Sequence, residues 1–212
     1  KKIDGWVSNY VKNNATPAIP VGFVPAPFYQ SIPTNPAQET KYAKARELGR
    51  ELISGGKVAA FVVAGGQGTR LGFDGPKGNF AISPVKNKTL FQIFAENIAA
   101  VSNKYHASCP WYIMTSPLNY ASTLEIIRSN NYYGLNKKDI FIFQQGTLPN
   151  FGFDGKVLMS DKADIACSPD GHGGSLLALH KSGAIEHMKK RGVEFISYFQ
   201  VDNPLINIFD PL

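Results

Sequence analysis

Lys57-Val58-Ala59-Ala60-Phe61-Val62-Val63-Ala64, running directly into Gly65-Gly66-Gln67-Gly68-Thr69-Arg70-Leu71-Gly72, is the stretch that decides the fold. The first half is almost continuously apolar, which is the pattern of a strand buried on both faces of a sheet. The second half is a glycine-rich loop at the strand's carboxyl end. Upstream, residues 38–53 place Tyr42, Ala45, Leu48, Leu52 and Ile53 at helical spacing, and Gly55-Gly56 stops them. Downstream, residues 89–101 read as a second helix, 111–115 as a strand, 117–129 as a helix and 140–143 as a strand. Residues 174–188 read as one or two helices and 193–201 as a last apolar strand. Between them, residues 151–164 are less regular, and Phe153-Asp154-Gly155-Lys156 reads as a tight hairpin turn.

Strands alternating with helices predict an α/β fold, a three-layer sandwich around a mixed, mostly parallel sheet of Rossmann-like type. Such a sheet places its ligand crevice beyond the carboxyl ends of its strands. Asp202 follows the last strand, so it falls on that rim. The chain stops where more strands are expected, so it reads as the truncated N-terminal part of a longer domain. Residues 1–56 read as an N-terminal extension plus a helix, and 57–212 as an incomplete nucleotide-binding part of a catalytic domain. Pro17, Pro20, Pro25, Pro27, Pro33 and Pro36 keep the extension from forming an inner helix or strand. It is expected to pack as a surface arm through Phe23, Phe28 and Tyr29.

The loop after the first strand carries the chemistry. Three glycines at 65, 66 and 68 remove side chains, so backbone amides can come close to a phosphate. Arg70 adds a forked cation suited to phosphate oxygens. Lys77, in Pro76-Lys77-Gly78, adds a second cation after a rigid turn. A Walker A loop would end in Gly-Lys-Ser/Thr, which is absent. A dinucleotide fingerprint would be G-x-G-x-x-G, and from Gly66 the spacing is one residue too long. The ribose-binding acid about 20 positions on is also missing, which argues against a nicotinamide-dependent oxidoreductase.

Composition narrows the partners. With 43% hydrophobic and 18% charged residues the chain is globular in type. A net charge of +6 favours anionic partners. The basic residues are scattered, and the densest run, Lys189-Lys190-Arg191, is a poor nucleic-acid footprint. No apolar run reaches the roughly 18 residues of a membrane helix, and no signal peptide is visible. Cys109 and Cys167 lie far apart in no metal-ligand spacing, which predicts a reduced, cytoplasmic setting without disulfides.

The string AGGQGTRLG (64–72) followed by PKG (76–78) resembles the eukaryotic-type UDP-sugar pyrophosphorylases, and especially the UDP-N-acetylglucosamine pyrophosphorylases. KTLFQ (88–92), WYIMTS (111–116), FQQG (143–146) with Leu148-Pro149, PDGHGG (169–174) and VDN (201–203) extend the resemblance, which runs from about Gly49 to the end. It implies a nucleotide-diphospho-sugar transferase sandwich. It also implies an enzyme that joins UTP to N-acetylglucosamine 1-phosphate and releases pyrophosphate, with Mg2+ or Mn2+. Gly65 and Gly66 would hold the nucleotide through backbone groups, and the catalytic cations Arg70 and Lys77 would hold the triphosphate. Gln145 would contact uracil and Gly171 the nucleotide. His172 would face the sugar phosphate, and Asp202 would lie near the metal and the sugar phosphate.

One residue departs from the acetylhexosamine pattern, which has Asn where His172 stands; the UDP-glucose members have His in a similar loop. Gly173-Gly174 follows here, as in the acetylhexosamine group. Glucose 1-phosphate is therefore the alternative sugar substrate, and a non-catalytic nucleotide-binding module is the alternative of another class. Neither nucleic acid nor a membrane is an expected partner.

Overall fold

Alternation along the first strand sets the layers. Ala60, Val62 and Ala64 point into one buried cluster, while Ala59 and Phe61 point into another. In chain order the elements of the computed structural model are α1 (Lys2–Trp6), α2 (Pro36–Ser54), β1 (Val58–Val63), α3 (Leu90–Tyr105), β2 (Trp111–Thr115), α4 (Tyr120–Ser129), β3 (Ile140–Gln144), β4 (Thr147–Pro149), β5 (Cys167–Pro169), α5 (Gly174–Lys181), α6 (Ala184–Lys190) and β6 (Phe195–Gln200). The structure describes residues 2–13, 21–25 and 32–212.

The chain divides into two compact units. The larger comprises Asn35–Gly146 and Asp170–Leu212, and the smaller Lys1–Thr34 and Thr147–Pro169. The helix α2 thus groups with the sheet, so this division does not coincide with a boundary after residue 56.

In the larger unit four strands pair in the order β3-β2-β1-β6, all parallel. The chain passes from β1 to β2 to β3 in one direction, then crosses to the other side of β1 for β6. Right-handed crossovers place helices of opposite progression on opposite faces. Accordingly Phe91, Phe94 and Ile98 of α3 and Ile127 of α4 cover one face, and Ala178, Leu179, Ala184 and Met188 of α5 and α6 cover the other. This is the expected three-layer α/β sandwich. Each of the larger buried side chains, Phe, Leu, Ile or Met, contributes about 1.5–3 kcal/mol. Antiparallel pairing among the described strands is confined to β4 with β5, in the smaller unit.

Local signals explain the element ends. Asn35 caps α2, its side chain accepting from the Gln38 N–H at 3.0 Å, and Pro36 takes the first helical turn, where no donor is missed. Pro36 therefore starts a helix and is not part of a proline-rich arm, a correction to the sequence reading. Thr89 caps α3 in the same way, accepting from Gln92 N–H at 3.2 Å. The strand β2 is tied to α6 where Tyr112 Oη meets His187 Nδ1 at 2.8 Å. Arg191 pairs with Asp139 and donates to Ser108 Oγ and the Lys138 carbonyl, so it is committed to the fold and adds little to a basic patch.

In the smaller unit, α1 continues as a π-helical turn, Val7–Lys12, in a stretch without proline. Phe23 is 70% exposed and does not pack as an anchor, while Phe28 and Tyr29 lie outside the described residues. The expected turn at Gly155 is present: its φ is +80°, and its N–H donates to the Gly152 carbonyl at 2.9 Å.

Candidate active site

The carboxyl ends of β1, β2, β3 and β6 form one rim of the larger unit. The chain reverses its progression between β1 and β6, so the switch point lies there. The glycine loop leaves β1 at this point and Asp202 follows β6.

Lys77 and Asp202 close the switch point. Lys77 begins a one-turn 3-10 helix, Lys77–Asn79. Its N–H donates to the Gly66 carbonyl at 3.0 Å, which folds the loop back on itself. The Lys77 side chain is 15% exposed, and its Nζ lies 3.2 Å from Asp202 Oδ2, whose side chain is 54% exposed. A cation from the loop of one strand and a carboxylate from the end of its neighbour are thus paired across the crevice. Gly78 lies against the Phe91 ring, where any Cβ would collide. That contact fixes the turn carrying Lys77.

Arg70 lies on the 3-10 turn Thr69–Leu71 and is exposed. Leu71 N–H and Phe73 N–H both donate to the Gly68 carbonyl, at 2.7 and 3.2 Å, and Gly68 N–H donates to the Gly75 carbonyl at 2.9 Å. Backbone bonds therefore hold the loop's shape while the guanidinium stays at the surface. Unlike Lys77 and Asp202, Arg70 is not held against another member of the site.

Gln145 is brought to Gly65. A Cβ at Gly65 would lie 2.5 Å from Gln145 Oε1 and 3.2 Å from Ser116 N, so a larger residue there would push the Gln145 amide away. Gln145 is 8% exposed, and its N–H donates to the Thr115 carbonyl at 2.8 Å. A primary amide at this position can offer a donor and an acceptor side by side.

Asn119 holds the loop from beneath, and the sequence reading missed it. It stands just before α4, where a capping role is expected, yet its side chain makes no cap bond. It turns back instead. Its Oδ1 accepts from Ser116 N and Oγ at 2.9 and 3.0 Å, and its Nδ2 donates to the Ala64 and Gly66 carbonyls at 3.3 Å. An Asn between a strand end and a helix start, on the rim of a parallel sheet, was the available signal.

The Asp170-Gly171-His172 turn lies beside Gln145-Gly146, with Asp170 N–H donating to the Gly146 carbonyl at 3.1 Å. Gly171 has a φ of +72° and is exposed. His172 is exposed, with its Nδ1 2.5 Å from Tyr198 Oη. Asp170, also missed, fills the space above Gly146 and Gly174, where a Cβ at either position would collide with its carboxylate. Its Oδ1 is buried with no hydrogen-bond partner among the described residues, leaving an acceptor that a bound ligand could satisfy.

Among the described residues no group of three or more His, Cys, Asp or Glu is placed to hold a metal. Mg2+ commonly takes only one or two protein carboxylates, with waters and substrate phosphates completing its shell. Asp202, partly exposed on the rim, fits that requirement; a closed all-protein metal site does not.

Fold and site together define a doubly wound α/β protein whose switch point carries a glycine loop, a cation and a carboxylate. A family model described as UTP–glucose-1-phosphate uridylyltransferase matches residues 27–211, and the chain belongs to that family. It is 40% identical over 193 residues to the UDP-N-acetylglucosamine pyrophosphorylase of Saccharomyces cerevisiae, covering 89% of this chain and 40% of that protein. It is 41% identical over 172 residues to the human UDP-N-acetylhexosamine pyrophosphorylase-like protein 1, covering 78% and 34%. The crystal structure of the uridine diphosphate N-acetylglucosamine pyrophosphorylase from Trypanosoma brucei, in complex with an inhibitor, superposes with a TM-score of 0.76 at 29% identity, covering 82% of this chain and 37% of that one. The chain thus spans about 40% or less of the length of these relatives.

Proposed function

We propose that this chain is the nucleotide-binding part of a uridylyltransferase that joins UTP to N-acetylglucosamine 1-phosphate. The observation that carries the reading is the Lys77–Asp202 pair at the switch point, facing the glycine loop. The likeness to proteins named for UDP-N-acetylglucosamine supports the sugar. His172 supports glucose 1-phosphate as the second reading, because it departs from the acetylhexosamine pattern at a position on the rim.

In the reaction an oxygen of the sugar phosphate attacks the α-phosphorus of UTP in line, the bond to the β-phosphate breaks, and pyrophosphate leaves. No side-chain nucleophile is required. Phosphoryl transfer of this kind depends on positioning and charge neutralisation. Gly65 and Gly66 give backbone access to the nucleotide, and Gln145 pairs with the uracil edge. Gly171 makes a backbone contact with the nucleotide, and Asp170 Oδ1 supplies a buried acceptor. Arg70 and Lys77 take the triphosphate, and His172 faces the sugar phosphate. Asp202, released by Lys77 when the phosphates bind, would be the carboxylate that holds Mg2+ or Mn2+. The bound metal ion would offset charge on the phosphates. Among the described residues no helix is long and apolar enough to cross a membrane. The wide spacing of Cys109 and Cys167 along the sequence, in no metal-ligand pattern, supports a reducing, cytoplasmic setting.

Calorimetry with UTP, CTP, ATP and GTP on the full-length protein tests the uridine assignment. UTP should bind more tightly than either purine nucleotide, because the Gln145 amide can pair its donor and acceptor with the uracil edge. Equal affinities for all four would remove the assignment.

A further inference from the structure

His172 is held at both ends. The Ser175 hydroxyl and the Ser175 N–H both donate to its carbonyl, at 2.7 and 3.1 Å, which fixes the backbone at the start of α5. At the other end its Nδ1 lies 2.5 Å from Tyr198 Oη. Tyr198 belongs to β6, the strand that leads to Asp202, and its ring meets Phe61 of β1 edge-on, with centroids 5.5 Å apart. The imidazole in turn stands edge-on to the Tyr198 ring at 6.4 Å. A line of three rings therefore runs from the buried face of β1 to the exposed rim.

The direction of the hydrogen bond follows from the chemistry of its partners. Burial pushes the Tyr198 phenol up, so it keeps its proton at neutral pH. A phenol is a good donor and a poor acceptor, whereas the lone pair of an imidazole nitrogen is a good acceptor. The favoured arrangement has Oη–H donating to Nδ1. A neutral imidazole that accepts at Nδ1 carries its own proton at Nε2, because the bond made by one ring nitrogen sets the state of the other. The edge turned away from Tyr198 is then an N–H donor.

We propose that Tyr198 is a positioning residue: it holds His172 in the Nε2–H form and aims that donor toward the sugar phosphate. The proposal rests on the reading of His172 as a sugar-phosphate contact. It adds a specificity device made of two residues, one on the α5 loop and one on β6. A phosphate oxygen accepts from an N–H and repels a bare nitrogen lone pair, so only one tautomer is productive.

The test uses full-length protein labelled with 15N-histidine. The His172 signals are identified by their loss in His172→Asn. They should show an unprotonated Nδ1 and a protonated Nε2. Tyr198→Phe keeps the ring on Phe61 and removes only the hydroxyl; it should draw the two nitrogen shifts together as the tautomers mix. The KM for the sugar 1-phosphate should rise about three- to tenfold, the size of one lost hydrogen bond, while UTP affinity stays unchanged. Tyr198→Phe should add nothing further in a His172→Asn background. Nitrogen shifts that ignore Tyr198→Phe, or an equal kinetic loss in the His172→Asn background, would overturn the proposal. If His172→Asn alone leaves the sugar 1-phosphate kinetics unchanged, the placement of His172 on the sugar phosphate fails. The nitrogen shifts then still decide, separately, whether Tyr198 sets the tautomer.

Discussion

Lys77→Ala should lower the turnover of the full-length protein by about 10²-fold or more, with UTP and a sugar 1-phosphate as substrates. Lys77 Nζ is mostly enclosed and aimed across the crevice at Asp202. Removing it strips the site of a cation where two phosphate groups must come together. It also leaves the Asp202 carboxylate without its counter-charge, so the approach of the triphosphate is opposed as well as unsupported. The fold should survive. Asp202 is half exposed, and an ion pair of that kind adds about 0–1 kcal/mol to stability. Arg70→Ala should reduce turnover to a similar order by removing the second cation, again with the melting temperature unchanged. Steady-state kinetics beside thermal melts check both, and wild-type turnover in either variant would cancel the role given to that residue.

The other large effect is on stability. Asn119→Ala should cost about 3 kcal/mol, because a fully buried side chain with four hydrogen bonds is removed at once. The Ser116 N–H and hydroxyl would lose their acceptor, the Ala64 carbonyl would lose the Asn119 donor, and the Gly66 carbonyl would keep only the Lys77 N–H. Since those carbonyls set the exit of the glycine loop from β1, UTP affinity should fall along with stability. A urea titration gives the first quantity and calorimetry the second. A loss below about 1 kcal/mol would mean that water replaces the side chain, and that Asn119 does not brace the loop.

The fold was legible where periodicity is strong. The apolar run of β1, the five residues of β2 and the helical spacing before Gly55 each specify one element, and the structure places them as read, within two or three residues. Alternation of strands and helices then leaves few topologies. Pro36 was misread because proline signals a break in general, and only the preceding Asn35 reveals it as a helix start. The site was legible in part. Glycines and cations close together in sequence announce a phosphate loop. The Lys77–Asp202 pair spans 125 residues, and no spacing rule connects its members. Asn119, Asp170 and Tyr198 were missed for the same reason. Their roles depend on which loops the crossovers bring side by side, which no local spacing reveals, even for Asp170 inside PDGHGG.

The most direct test of the account is an assay of the full-length protein with UTP, N-acetylglucosamine 1-phosphate and Mg2+, following pyrophosphate release. Pyrophosphate and UDP-N-acetylglucosamine should appear in equal amounts, and excess chelator should abolish both. UTP binding without pyrophosphate release, with either N-acetylglucosamine 1-phosphate or glucose 1-phosphate, would contradict it and leave a nucleotide-binding module that does no chemistry.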